Sequence, residues 1–276
     1  MLLDINAFVG HWPFRNLRGN NLKDLLKRMN TYGVDKAIVS NLNGIFYVDG
    51  QIANEELFTE LNSDTSFKDR FIPFATINPV LPWWRDALET CNKEFGMKGI
   101  RIFPLYHHYK LTDEACIEMV KAARDLGMPV SIPLRMTDLR ERSWLDVDKA
   151  ISYNDVAALV SKVPDAKYMI LEARITDGQE STTVESVKIL KASDVLFDTS
   201  RGSGVVVKGP NSESLTYLLE NFGADKLAFG TETPFVDYTS PFLRLGAFKA
   251  INETEKQKVW SGNAMRMLKL SRTSGT

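Results

Sequence analysis

The sequence predicts an α/β protein built as a single (β/α)8 TIM barrel, and three observations carry that prediction. Apolar, β-branched runs alternate with helical patterns about eight times along the chain, without a break in composition. The 276 residues suit such a barrel, which needs roughly 250. No glycine-rich nucleotide fingerprint follows the first strand, where Gly10 leads into His11-Trp12-Pro13. That weighs against an open, doubly wound sheet.

The elements follow in order. Strand 1 covers 2–8. Side chains alternate along a strand, so Asn6 and Phe8 share one face. A helix is expected over 21–32, where Leu22, Leu25, Leu26 and Met29 recur at helical spacing and Gly33 ends it. Strand 2 covers 36–40 and leads to Asn41 and Asn43. Helix 2 is expected over 54–62, strand 3 over 71–78 and helix 3 over 83–95, stopped by Gly96. Strand 4, over 99–104, runs into the loop Leu105-Tyr106-His107-His108-Tyr109. Thr112 and Asp113 supply an N-cap for helix 4, which Gly127 closes. Strand 5 covers 129–135. The polar stretch over 136–153 is the longest connection up to that point, and long βα loops in barrels build or cover the substrate site. Helix 5 over 154–163, strand 6 over 167–174, helix 6 over 184–191 and strand 7 over 195–199 follow. Gly202 and Gly204 after strand 7 make an incomplete phosphate-loop pattern, whose plain reading is a turn. Helix 7 over 212–222 and strand 8 over 226–232 complete the barrel, and 240–270 read as closing helices. The expectation is one domain over 1–270 and a disordered polar tail over 271–276.

Composition narrows the function. Hydrophobic residues make up 44% and charged residues 25%, as in ordinary globular proteins, and the net charge is −1. Nothing in that balance favours nucleic acid or an anionic membrane surface. No apolar run reaches the roughly 20 residues of a membrane span. The start, MLLDINAFVG, has neither the basic leader nor the long apolar stretch of a secretory signal. Cys91 and Cys116 both fall on expected helices, and two thiols in a chain of this size point to a reducing compartment, the cytoplasm. The expected partner is a small-molecule substrate, and Trp83-Trp84 on helix 3 could mark a homo-oligomer interface.

In a barrel of this kind the catalytic groups sit at the C-terminal ends of the strands. Those ends offer Asn6 and Phe8, Asn41 and Asn43, Asn78, Arg101 with His107 and His108 beyond it, Arg135, Glu172 and Arg174, Asp198 and Arg201, and Glu232. His11 follows strand 1 directly on the same side.

On Asp4 to Gly10, Phe74-Ala-Thr-Ile-Asn-Pro79, Gly99-Ile-Arg-Ile-Phe-Pro104, Gly127-Met-Pro-Val-Ser-Ile132, Leu227-Ala-Phe-Gly-Thr-Glu-Thr-Pro234 and Gly262-Asn-Ala-Met-Arg-Met-Leu268, the chain resembles the amidohydrolase superfamily, in its amidohydrolase-related branch of small barrels. The resemblance implies a metal-dependent-hydrolase-like barrel over nearly the whole chain. It also marks departures. The family's strand 1 ends in a His-x-His metal pair, and Asn6 and Phe8 stand there. Its strand 5 and strand 6 histidines fall at about Pro133 and Ala173. Its strand 8 aspartate is matched by Glu232. With only three histidines in the chain, and zinc preferring Cys, His and carboxylate, the family's usual metal site is not expected to form.

The expectation is therefore no cofactor, and some members of that superfamily work without a metal. The alternative is one divalent ion, such as zinc, on a rearranged set of Glu232, Asp198 and His107 or His108. In the metal-free reading Glu232, His107 and Asn6 are the catalytic candidates, with Glu232 as the acid/base that activates water. Arg101, Arg135, Arg174, His108, His11 and Asp198 are the substrate-binding candidates, because guanidinium forks onto carboxylates and holds a developing oxyanion. A buried ion network of these arginines with Glu172, Asp198 and Glu232 is the plainer account of the same residues. Trp12, Phe14, Tyr106 and Tyr109 could wall a ring or a sugar face. The leading activity is hydrolysis of a lactone, ester or amide, or a related C–C cleavage, on a small anionic or polyhydroxylated molecule. A binding barrel that has lost its metal site and its chemistry is the competing reading.

Overall fold

Eight parallel strands lie side by side in chain order in the computed structural model, which describes residues 1–137, 141–173, 182–200 and 213–271. They are β1 (Leu3–Val9), β2 (Lys36–Asn41), β3 (Phe71–Thr76), β4 (Gly99–Arg101), β5 (Val130–Pro133), β6 (Tyr168–Leu171), β7 (Val195–Asp198) and β8 (Leu227–Ala228). The ring closes between β1 and the chain around β8. Ile5 N–H donates to the Phe229 carbonyl at 2.9 Å, Glu232 N–H to that of Asn6 at 2.6 Å, and Phe8 N–H to that of Thr233 at 2.8 Å. The predicted (β/α)8 barrel is the fold.

Parallel strands need crossover connections, and helices supply them. They are α1 (Leu22–Tyr32), α2 (Asn43–Phe46), α3 (Gly50–Asn62), α4 (Thr65–Lys68), α5 (Trp84–Lys93), α6 (Glu114–Asp125), α7 (Tyr153–Lys162), α8 (Val184–Ala192) and α9 (Glu213–Phe222). After β8 come α10 (Thr239–Ala247), α11 (Glu253–Gln257) and α12 (Asn263–Leu268). The ends follow local chemistry. Asn21 caps α1 by accepting from Asp24 N–H, and Gly33 closes it at φ 65°. Ser152 and Asp155 form a reciprocal capping box on α7.

Several expected bounds shift for physical reasons. The second helix begins at Gly50 rather than residue 54, because the Asp49 side chain accepts from Gln51 N–H and starts the turn earlier. The one-turn helices α2 and α4 are too short to show a period. β8 stops at Ala228 rather than residue 232, and Glu232 itself adopts φ 63°, outside the extended region. Trp83 is exposed but Trp84 is buried. Cys91 and Cys116 are both free and buried. Arg174, Arg201, Gly202, Gly204 and the tail over 272–276 lie outside the described residues. No helix among the described residues is long and apolar enough to cross a membrane.

The core has two faces. Outward strand residues such as Val39, Ile100, Ile132, Ile170 and Phe197 pack with Leu25, Leu57, Leu88, Val120 and Leu159 of the helices. Inside, Leu3, Ile5, Ile38, Phe74, Met169 and Leu196 fill the lower barrel, with Ala264, Met265 and Met267 of α12 in the same cluster. Fully burying each large apolar side chain contributes roughly 1.5–3 kcal/mol. A register shift between Asp4 and Ala7 against β2 marks a bulge in β1. One extra residue there changes the alternation. Leu3 and Ile5 belong to the lower plug, while Asn6 and Phe8 face the interior above it.

Candidate active site

The upper ends of β1, β6, β7 and the chain after β8 converge on a buried carboxylate centre. Asp198, the last residue of β7, has no solvent exposure. Its Oδ2 accepts from Ser200 Oγ at 2.6 Å and from Asn6 Nδ2 at 2.7 Å, and its Oδ1 accepts from Ala173 N–H at 3.2 Å. Asn6 Nδ2 also reaches Glu172 Oε1 at 3.4 Å. Burial raises the Asp198 pKa to about 6. The hydrogen bonds from Ser200, Asn6 and Ala173 oppose that rise, and the charge of Glu232 adds to it.

Backbone geometry brings these groups together. Glu172 and Glu232 sit at φ 59° and 63°, a left-handed conformation that non-glycine residues rarely adopt. Such positions cost on the order of 1–3 kcal/mol and cluster at functional sites. Gly230 lets the chain pass close to the centre: a Cβ there would lie 2.9 Å from Asp198 Oδ2 and 3.1 Å from Asn6 Cβ.

Arg101 lies beneath this centre, fully buried. Its Nη1 donates to the Ala7 carbonyl at 2.9 Å and its Nη2 to the Ile5 carbonyl at 3.1 Å, and its guanidinium lies 4.4 Å from the centre of the Phe8 ring. Burial lowers its pKa to about 9, against the attraction of Asp4 and Asp198. Both amino groups are thus engaged in bracing the bulged strand that carries Asn6.

Aromatic rings roof the barrel. Trp12 contacts Phe235, Phe46, Phe14 and Tyr106 at centroid distances of 5.0, 5.2, 5.5 and 6.1 Å, all edge to face. Tyr106 OH donates to Asp146 Oδ1 at 2.8 Å, and Thr137 Oγ1 donates to Asp146 Oδ2 at 2.7 Å. That pair ties the long β5–α7 connection to the roof. Beside it, Arg135, Lys149, Tyr106, Phe103 and Met136 line a crevice of about 10 Å³, room for about one water.

The other candidates are dispersed. His107 is buried, with Nε2 3.2 Å from the Gly44 carbonyl, and burial lowers its pKa to about 4, so its ring is neutral near pH 7. His108 and His11 are exposed, and His11 meets Asn43 only through its backbone N–H. The structure thus brings Asn6, Asp198, Glu172 and Glu232 into one centre. Sequence reasoning missed two members of its support, Ser200 and Asp4. The Ser200 signal was its place two residues after Asp198. Asp4 lay two residues before Asn6, but its partner Thr231 is distant in sequence.

No protein-family model matches the chain, and no curated protein does. Solved structures do. The dihydroxybenzoic acid decarboxylase of a Polaromonas species, with bound manganese and the inhibitor 2-nitroresorcinol, is 16% identical, covers 99% of this chain and 98% of its own, and gives a TM-score of 0.74. The 2,6-dihydroxybenzoate decarboxylase of Rhizobium is 14% identical over 98% of both chains, with a TM-score of 0.71. The 5-carboxyvanillate decarboxylase of Novosphingobium aromaticivorans, with manganese and 4-hydroxy-3-methoxy-5-nitrobenzoic acid, is 16% identical over 98% of this chain and 96% of its own, with a TM-score of 0.70. At these identities the likeness shows the fold alone, the (β/α)8 TIM barrel that the sequence predicts.

One expectation is corrected by these structures. No cofactor was expected, yet two of the three neighbours hold manganese, so the expectation that such a barrel goes without a metal is overturned for these neighbours. The fit of such an ion to this chain follows from its donors. Asp198, Glu172 and Glu232 share the centre, but among the described residues no three His, Cys, Asp or Glu side chains are placed so as to hold one ion. The set of Glu232, Asp198 and His107 or His108 therefore does not assemble. Asn6 turns its Nδ2, a donor, toward the carboxylates, and Phe8 offers none. The described residues do not fit a divalent ion.

Proposed function

We propose that the chain is an enzyme that breaks the C–C bond to the carboxylate of a small, hydroxylated aromatic acid, with Asp198 as the proton donor. The observation that carries this reading is Asp198 itself, buried at the strand ends with a pKa near 6 and held in place by Ser200 and Asn6. A carboxyl group with that pKa keeps part of its population protonated near neutral pH and can give the proton to carbon. In the step, the C–C bond breaks, its electron pair stays on the ring carbon, and CO2 leaves. The carbon then takes the proton from the Asp198 carboxyl, which regains one from solvent. Glu232 is the second carboxylate of the pair, and Asn6 orients Asp198. Arg135 and Lys149, which line the small crevice beside the ring cluster, carry charge of the sign that an anionic group needs. In the same reading Arg101 and His107 support the strand ends, and the exposed His11 and His108 would meet substrate from the loops. The substrate classes of the structural neighbours support the choice of acid.

Hydrolysis of a lactone, ester or amide is the second reading. It is favoured by Glu232, whose left-handed backbone sets a second carboxylate beside Asp198, where it could activate water. A panel of hydroxybenzoates, lactones and aryl esters, with manganese supplied, separates the readings. CO2 release that falls about 100-fold or more in Asp198→Asn, the size expected for loss of a general acid, supports decarboxylation. Ester or lactone turnover lost in Glu232→Gln supports hydrolysis instead. No turnover of any of them would overturn both and leave the binding barrel.

A further inference from the structure

We propose that Asp4 is a positioning residue that, through Thr231, holds the left-handed turn presenting Glu232 to the Asp198 centre. The proposal rests on the reading of Asp198 and Glu232 as an acid–base pair.

Asp4 has no solvent exposure. Its Oδ1 accepts from the N–H groups of Asn6 at 2.9 Å and Thr231 at 3.1 Å, and its Oδ2 accepts from Thr231 Oγ1 at 2.6 Å. The Thr231 hydroxyl in turn accepts from Thr233 N–H at 3.2 Å. Residues 231 and 233 are thereby gripped on both sides of Glu232. The Glu232 N–H is itself spent on the Asn6 carbonyl at 2.6 Å. One buried carboxylate therefore ties together the backbones of both strand ends whose side chains enter the centre.

The energetics ask for such a grip. A left-handed non-glycine residue relaxes unless its surroundings over-determine it. A buried carboxylate is itself costly, and burial pushes the Asp4 pKa up against its hydrogen bonds from Thr231, Asn6 and Tyr238. Its hydrogen bonds come from Asn6 and Thr231, the Tyr238 hydroxyl also faces it, and the Arg101 guanidinium attracts it by charge. An apolar residue would fill the space without that penalty, but could not hold the 231–233 turn.

The test follows the carbon-13 signal of the Asp198 carboxyl against pH in the full chain. Glu232→Gln sets the reference, since removing the Glu232 charge lowers the Asp198 midpoint. Thr231→Val keeps the shape and loses the hydroxyl; Thr231→Ser keeps the hydroxyl. The expected result is a midpoint lowered by about half a pH unit or more in Thr231→Val, matched by Asp4→Asn where that variant folds, and a parental midpoint in Thr231→Ser. Turnover of the accepted acid falls in kcat with KM retained. A parental midpoint in Thr231→Val, while Glu232→Gln moves it, overturns the positioning role and leaves the acid–base pair standing. A midpoint that Glu232→Gln does not move, or a parental Asp198 titrating in the ordinary carboxylate range, overturns the pair and the positioning role with it.

Discussion

The lower barrel and its upper rim are built from the same strands, a residue or two apart, and obey opposite rules. Below, Leu3, Ile5, Ile38, Phe74, Met169 and Leu196 bury hydrocarbon against hydrocarbon. Above, Asn6, Glu172, Asp198 and Glu232 bury polar and ionisable groups on a backbone that is bulged at β1 and left-handed at two residues. The lower half supplies stability and asks for none back. The upper half holds strain and desolvated charge, which a barrel keeps only where other contacts hold them in place. Apolar packing and buried charge are thus separated along the strand axis.

The sharpest way to break this comparison is in the plug. Phe74→Ala empties a fully buried ring and is expected to lose about 3–5 kcal/mol, read from urea denaturation. Turnover per folded molecule should hold. A matching fall in turnover per folded molecule would mean that the two halves are not separable.

The second test uses pH. Asp198 sits at about 6 when folded, against an ordinary 3.8. The folded state thus binds that proton more tightly. Its contribution is full below pH about 4 and is lost as pH rises through about 6, on the order of 3 kcal/mol in all. His107 runs the other way: lowered from 6.5 to about 4, its contribution is full above the unfolded value and lost as pH falls toward 4. The two slopes oppose each other in the parent. Asp198→Asn should uncover a stability that climbs with pH between about 4 and 6.5, and His107→Gln one that declines over the same window. Denaturation at a series of pH values reads both, and identical profiles in parent and variants would remove the electrostatic half of the contrast.

A smaller effect is expected at Gly230→Ala, whose Cβ would press on Asp198 and Asn6. Overpacking there should cost about 1–3 kcal/mol and disturb turnover as well, unlike the plug variant. The smallest is Lys93→Ala on the exposed face of α5, where the Glu89 pair at 2.6 Å is screened by solvent and its loss should leave the denaturation midpoint close to the parent's. A clear shift of that midpoint would show that surface pairs matter more here than either half of the barrel suggests.

How much of this was readable in advance follows the same division. Period-2 and period-3.6 patterns report burial, so the eight strands and most helices were legible from residues such as Leu22, Leu25 and Met29. Strand ends were not: β8 stops at Ala228, and Glu232 adopts a backbone torsion that no side-chain pattern encodes. That Asn6, Asp198 and Glu232 would lie together was legible because a barrel gathers its strand ends. Asp4 was not, since its meaning depends on Thr231, 227 positions away. Arg101 read as an anion binder by residue type, and only its two carbonyl partners on β1 reveal a brace. The metal expectation rested on too little: missing histidines speak of one ligand set only, and two of the structural neighbours hold manganese.

The most direct measurement is the carbon-13 titration of the Asp198 carboxyl in the unmodified protein. A midpoint near pH 6 is predicted, as a desolvated carboxyl facing Glu232 requires. A midpoint near the ordinary 3.8 would contradict it, and the rim would then be a hydrogen-bonded structural network rather than an acid–base centre.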